Sequence, residues 1–350
     1  MHWIKRNFST LIVAASLAGV LVIAFSNSEM ENAWDSITSM NPVWTLGALC
    51  SWAAYAFFEG AGSWLYLRSQ AFPIHFRRAF SATMIGFFYS NITPSAAGGQ
   101  PMQINSLRKA GIPVGYGTSD VTIRFIANQF TISVLSLVLY LCHLKAVSGQ
   151  LGNAVWFFRL GWIINFGAVP VVLLAAFHLN WIRKAADWLI EKFCRIRLIH
   201  HPDELRMKVW DTLESYHEAL RDLVHQPKQM LLQLLCSFLS ILGLTGSVVF
   251  VYWAFGLSQT GWDILLTLSC MLFISASYTP LPGASGAQEG GFLLYFNGIF
   301  TEGTIGLALL VWRFFTYYIF LLIGIIFVLG ERILHIIRER KEKNQQTFHT

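Results

Sequence analysis

Two short loops interrupt an otherwise hydrophobic chain with the same signature, and that interruption limits what the chain can build. Residues 94–100 read Pro-Ser-Ala-Ala-Gly-Gly-Gln and residues 282–288 read Pro-Gly-Ala-Ser-Gly-Ala-Gln, one pattern of Pro-x-x-x-Gly-small-Gln repeated at a separation of 188 residues. Hydrophobic residues make up 55% of the sequence and charged residues 13%, against about 25% charged in an average soluble domain, so the expected surroundings are a bilayer. Backbone at membrane depth must satisfy its own hydrogen bonds, and non-helical chain survives there only where protein or a polar cavity surrounds it. Two such breaks at corresponding places in two halves point to a transporter's substrate site.

A spanning helix needs about 20 predominantly apolar residues. Six stretches qualify, at 9–27, 43–67, 118–143, 154–178, 229–256 and 304–330. Lys5 and Arg6 ahead of the first resemble the start of a signal peptide, but no small-x-small cleavage site leads into a soluble domain, so it is read as a retained helix. Two further apolar stretches, 79–93 and 263–280, each run into one of the Pro/Gly loops, and the chain beyond each loop is short or polar. These are read as re-entrant helical hairpins near 79–110 and 263–300. The expected fold class is an all-α polytopic membrane protein of six full spans plus two re-entrant hairpins.

Lys and Arg counts in the short connections give one consistent orientation. Segment 28–42 has acids and no Lys or Arg, whereas 68–78 holds Arg68, Arg77 and Arg78, and the tail from Arg332 through Lys343 is basic. Both termini are therefore expected in the cytoplasm. Three spans separate the hairpins, and an odd number turns the second copy over. The expected division is a first half at 1–150, an inverted second half at 151–330, and a basic tail at 331–350. Arg124 and Arg313 fall at nearly the same offset after their loops, which supports the repeat. Within the second half, 181–228 carries apolar residues such as Trp188 and Trp210 among charges, the pattern of amphipathic helices at the cytoplasmic interface.

Ionisable groups in the spans carry the functional argument, because a charge at a helix centre costs roughly 2.5–3.5 kcal/mol on insertion scales. Arg313 lies too deep in the last span to snorkel easily. Arg124 either snorkels to the cytoplasmic face or serves a functional position. Glu59 either pairs with Arg124 or acts as a proton-linked group, and Glu289, the acid that directly follows the second loop, either binds a cation or pairs with Arg313. Helix amino termini near Gln100 and Gln288 offer N–H groups and positive dipole ends to an anion, and the two glutamines can hydrogen-bond phosphate without adding charge. Pro94, Gly98, Gly99, Pro280, Pro282, Gly283 and Gly286 are assigned to loop structure, with any ligand contact made through backbone. The five cysteines are scattered without a Cys-x-x-Cys pair, and no catalytic constellation, metal site, cofactor motif or nucleic-acid motif is expected.

Asn91, Pro94, Gly98, Gly99, Gln100 and Pro101, followed by Leu107, Arg108, Lys109 and Gly111, and later Pro280, Pro282, Gly283, Gly286, Glu289 and Gly290, resemble the signatures of the lysylphosphatidylglycerol synthase transmembrane family. This resemblance extends over nearly the whole chain. It implies a bacterial inner-membrane, flippase-like protein that moves an anionic or aminoacylated phospholipid, or a polyprenyl-phosphate lipid, between leaflets. Bifunctional members carry a soluble aminoacyltransferase domain after the membrane part; here the chain is expected to act without one. Arg124, Arg313, Gln100 and Gln288 are the expected phosphate ligands, with Glu289 and Glu59 balancing charge. Membrane lipids are the expected partners, with enzymes of lipid or glycolipid synthesis as further candidates. Two other readings stay open: an accessory to such an enzyme, and a small-solute or ion transporter.

Overall fold

The computed structural model describes residues 37–177, short helical pieces between 183 and 221, and residues 226–300 and 304–347. The expected span at 9–27 and most of the 181–228 insertion lie outside the described residues. Every regular element described is helical. The protein is a membrane protein, and three helical stretches are long and apolar enough to cross a bilayer: Val114–Cys142, Pro227–Ala254 and Ile305–Leu334.

Chain breakers set the helix boundaries. Helix α1, Pro42–Ser69, starts where Asn41 accepts a hydrogen bond from the Val43 N–H and proline takes the first helical position, where its missing donor costs nothing. Helix α2, Phe76–Ile92, runs into the first loop, and α3, Gly99–Lys109, leaves it to pack back against α2. Next come α4, Val114–Cys142, the short α5, Leu144–Leu151, and α6, Val155–Phe177. Helix α7, Pro227–Ala254, again opens on proline. Helix α8, Trp262–Ala276, enters the second loop, and the nine-residue α9, Ala287–Tyr295, leaves it and packs against α8. The last stretch is α10, Ile305–Arg313, and α11, Ile319–Thr347, joined by one π-helical turn at Phe314–Tyr318.

The pair α1 and α7 forms the spine. Asn41 N–H donates to the Ala254 carbonyl at 2.9 Å, Ser51 Oγ to the Gly243 carbonyl at 2.5 Å, and Gly62 faces Gln233. As one residue number rises the other falls by nearly the same amount, so the two helices run antiparallel. Close approach depends on absent side chains, as is usual where helices pack inside a membrane. A Cβ on Gly243 would meet the Ser51 carbonyl oxygen and the Tyr55 nitrogen, each at 2.8 Å, and both are backbone atoms that cannot swing aside.

The two Pro/Gly loops touch. Ser95 N–H donates to the Pro280 carbonyl at 3.2 Å, and Tyr317 in the π turn donates its hydroxyl to the Asn91 carbonyl at 3.1 Å. The two loops also start alike and then part, since Gly98 has φ of −81° where Gly286 has 86°. Ser95 and Ala96 have φ of 52° and 56°, and Gly283 and Ala284, at the matching positions, have 59° and 50°. Three of these four residues carry a Cβ, and left-handed backbone costs such residues roughly 1–2 kcal/mol each.

Replacing Gly243 by Val should destabilise the protein by about 1–3 kcal/mol, the usual range for overpacking, since backbone lies on the other side of the contact. Thermal unfolding in detergent micelles tests this, and an unchanged transition would mean that α1 and α7 are free to move apart.

Candidate functional site

Arg313 closes α10 immediately before the π turn, in a membrane helix, and is only 3% exposed. Its Nε donates to Glu289 Oε1 at 2.8 Å, Nη2 lies 2.8 Å from the same oxygen, and Nη2 also donates to the Gly283 carbonyl at 3.2 Å. The guanidinium stacks over the Tyr317 ring, with Cζ 4.6 Å from the ring centroid. The other oxygen of Glu289, Oε2, accepts the Gly286 N–H at 2.6 Å, so one carboxylate both pairs the arginine and caps α9. A carboxylate three residues past the N-cap is the arrangement that a helix amino terminus favours. Gly283 is required here for space, because a Cβ would run into the Tyr317 ring, whereas its positive φ is one that Ser95 holds at the matching position.

A second buried charge cluster lies between α1, α4 and α7. Arg124 donates Nη1 to Glu59 Oε2 at 2.9 Å and to the Glu59 carbonyl at 3.1 Å, and its Nε is 3.5 Å from Asp120 Oδ1. Asn128 Nδ2 and Ser240 Oγ donate to Glu59 Oε1 at 2.7 and 2.9 Å, and Ser63 donates to Asp120 Oδ2 at 2.8 Å. Arg124 is 6% exposed and Asp120 fully buried, so the guanidinium is held inside and does not snorkel to a face.

A cavity of about 340 Å³ opens where the two loops, α1 and the π turn meet. Tyr55, Asn91, Ser95, Gln288, Arg313 and Tyr317 provide its polar wall, and Phe87, Phe273 and Phe320 an apolar one. Gln288 is 5% exposed, and among the described residues no hydrogen-bond donor reaches its Oε1. The expected site residues thus separate. Arg313, Gln288 and Gly283 line the cavity, whereas Arg124 and Gln100 do not, and Gln100 is exposed at the start of α3. Glu289 pairs with Arg313 and Glu59 with Arg124. Pro282 is buried and Pro94 exposed; Pro280 gives its carbonyl to the other loop. Gly98 N–H is taken by Thr93 Oγ1 at 2.9 Å, Gly99 packs on Ser90, and Gly286 N–H is taken by Glu289.

Sequence reasoning passed over Asp120, Asn128, Tyr55 and Tyr317. Asp120 and Tyr317 had a readable signal, since each stands four residues from its arginine, one helical turn away on the same face. Tyr55 and Asn128 had the same spacing, four residues from Glu59 and from Arg124; what the sequence does not show is the meeting of α1 with α4 that sets Asn128 on Glu59.

A polytopic helical membrane protein with a polar, arginine-bearing cavity between two broken-helix loops is the class these features define. More narrowly, the chain belongs to the family described as the lysylphosphatidylglycerol synthase TM region, whose model matches residues 8–324. It is similar to a UPF0104 membrane protein of Archaeoglobus fulgidus, 22% identical over 341 residues covering 94% of this chain and 97% of the relative. A UPF0104 membrane protein of Methanothermobacter thermautotrophicus is also 22% identical, over 84% of this chain and 86% of that one.

Breaking the second cluster from one side should be costly. Arg124→Gln leaves Glu59 buried without its cation and is expected to lose about 3–5 kcal/mol, while the double variant with Glu59→Gln should recover much of that. Unfolding transitions of the wild type, both single variants and the double variant decide it, and a double loss equal to the sum of the two single losses would show that the pair carries no net coupling.

Proposed function

We propose that the protein is a lipid translocase that carries an anionic or aminoacylated phospholipid, or a polyprenyl-phosphate lipid, from one leaflet of the cytoplasmic membrane to the other. In this reading the hairpins enter from opposite faces as inverted copies, both termini are cytoplasmic, and the headgroup passes through the cavity while the chains stay in lipid. The observation that carries it is Arg313, buried in a membrane helix yet on the wall of a cavity at the junction of both loops. Cations at such depth are expensive and mark substrate or ion pathways.

The chemistry fits a phosphate. A guanidinium has five N–H donors in a planar fork suited to phosphate oxygens, and the Glu289 and Gly283 contacts run through Nε and Nη2. Glu289 balances the charge when no anion is bound, so the cavity need not stay cationic between cycles. Gln288 and Tyr317 add neutral polar groups beside the arginine. The matched φ values at the two positions after each loop's proline and the contact between Ser95 and Pro280 support a repeat whose copies close on each other. A π turn directly after Arg313 is a local irregularity of a kind that recurs at functional sites.

Reconstitution in liposomes that carry acyl-labelled anionic lipid in the inner leaflet tests the reading through the appearance of label outside. Arg313→Gln should abolish exchange, and Arg313→Lys, which keeps the charge but loses the fork, should slow it about tenfold or more. Normal exchange by a folded Arg313→Gln protein would overturn the assignment. Glu289→Gln separates this reading from an enzymatic one: a translocase loses leaflet exchange, whereas an enzyme loses a covalent lipid product.

A further inference from the structure

Beside the main cavity lies a second pocket of about 190 Å³, room for about six waters at the liquid volume per molecule. It shares Tyr55, Leu244, Phe273 and Ser277 with the larger cavity, so the two adjoin across one wall. The chemistry changes across that wall. Among the described residues no charged side chain lines the small pocket; its polar lining is hydroxyl and amide, chiefly Asn128, Gln129, Asn165, Thr245 and Ser277.

Those amides are held in fixed orientations. Gln129 Nε2 donates to Asn165 Oδ1 at 2.6 Å, and Asn165 Nδ2 donates onward to the Gly161 carbonyl at 2.7 Å and to Ser277 Oγ at 2.5 Å. Asn128 is oriented by the carboxylate next to it: Nδ2 must be the end that faces Glu59, because only a donor can do so. Its Oδ1 is therefore an acceptor, buried, with no donor in reach among the described residues. An unmet buried acceptor is costly, which favours a ligand that brings a donor. Glu59 does not line the pocket, and its oxygens are already occupied by Arg124, Asn128 and Ser240, so the pocket offers an ammonium group no free counter-charge. A hydroxyl fits better.

We propose that the pocket formed by Asn128, Gln129, Asn165 and Ser277 is a hydroxyl-recognition subsite, which takes the uncharged polyol end of a phosphate-bearing headgroup whose phosphate sits at Arg313. This rests on the translocase reading and narrows it to phospholipids with a glycerol or sugar-like headgroup. The same hydroxyl-and-phosphate chemistry occurs in soluble glycerol phosphate, and a competition arm separates the two sources.

The test compares acyl-labelled phosphatidylglycerol with phosphatidylmethanol, which has the same charge but no headgroup hydroxyl, in proteoliposomes of the full chain. Wild-type protein should exchange the glycerol lipid about three- to tenfold faster, the range of one net hydrogen bond. Asn128→Ala should bring the ratio close to one. So should Gln129→Leu, which leaves the Glu59 contacts untouched and covers the case where Asn128→Ala does not fold. A ratio near one in wild-type protein, an undiminished ratio in both folded variants, or faster exchange of phosphatidylethanolamine than of phosphatidylglycerol would overturn the subsite while the translocase reading stood. Native mass spectrometry of bound lipid gives the separate readout. Preferential retention of phosphatidylglycerol that depends on Gln129, in a protein that exchanges neither lipid, would support the subsite and sink the translocase. Inhibition of phosphatidylglycerol exchange by millimolar glycerol 3-phosphate, absent in Gln129→Leu, would assign the subsite to the soluble compound as well; no inhibition would assign it to the lipid headgroup.

Discussion

The ion pair between Arg313 and Glu289 makes the broken backbone of the second loop tolerable. Helix breaks expose carbonyl and N–H groups that a low-dielectric setting does not forgive. Here the arginine takes the Gly283 carbonyl, the glutamate takes the Gly286 N–H, and each neutralises the other's charge. Removing either would strand both a charge and a backbone group. Tyr317 completes the arrangement, because its ring covers the guanidinium while its hydroxyl holds the Asn91 carbonyl at the end of α2. One cluster therefore fixes the second loop, caps α9 and joins the two loops.

Arg124 solves a different problem although it stands at nearly the same offset from its own loop. Its carboxylate partner, Glu59, comes from α1, upstream of the first loop, and its contacts join three helices without touching either loop. The position after Gln288 is Glu289, whereas the position after Gln100 is Pro101, which offers neither a carboxylate nor an N–H. The first loop instead caps itself through Thr93 on Gly98. Two similar loops have thus been stabilised by unlike means, and only the second keeps an arginine at the cavity wall. That asymmetry gives the proposed path one strong anion site, not two facing ones.

Much of this was legible in the sequence because membrane constraints are blunt. Five of the expected apolar spans coincide to within a few residues with helices such as Pro42–Ser69 and Pro227–Ala254, or, for the last, begin at Ile305. Both Pro/Gly runs break helices where expected, and the pairing of Glu289 with Arg313 stems from there being one acid beside one deep cation. Less visible were features that require two elements to meet. The turn between Arg124 and Asn128 sets both on one face but does not say that α1 brings Glu59 to it, and the π turn at Phe314–Tyr318 has no proline or glycine to mark it. Gln100 and Gln288 read alike as sequence, yet one is exposed and the other buried, a difference set by which side of each helix start faces its neighbours, since Gly99 beside Gln100 is itself buried.

The separation of charge from hydrogen bonding has a consequence for specificity. An anion site alone cannot tell one phosphate-bearing lipid from another, since Arg313 would meet the same diester oxygens in each. Discrimination by fixed neutral groups behaves otherwise: a site built to hydrogen-bond a hydroxyl rejects the analogue lacking it, because its own buried polar atoms are then left unpaired. The buried Oδ1 of Asn128 is the atom that would impose that penalty, and the pocket it lines with Gln129, Asn165 and Ser277 adjoins the arginine's cavity without adding charge. Charge would then draw the headgroup into the cavity, and the neutral pocket would decide which headgroup stays.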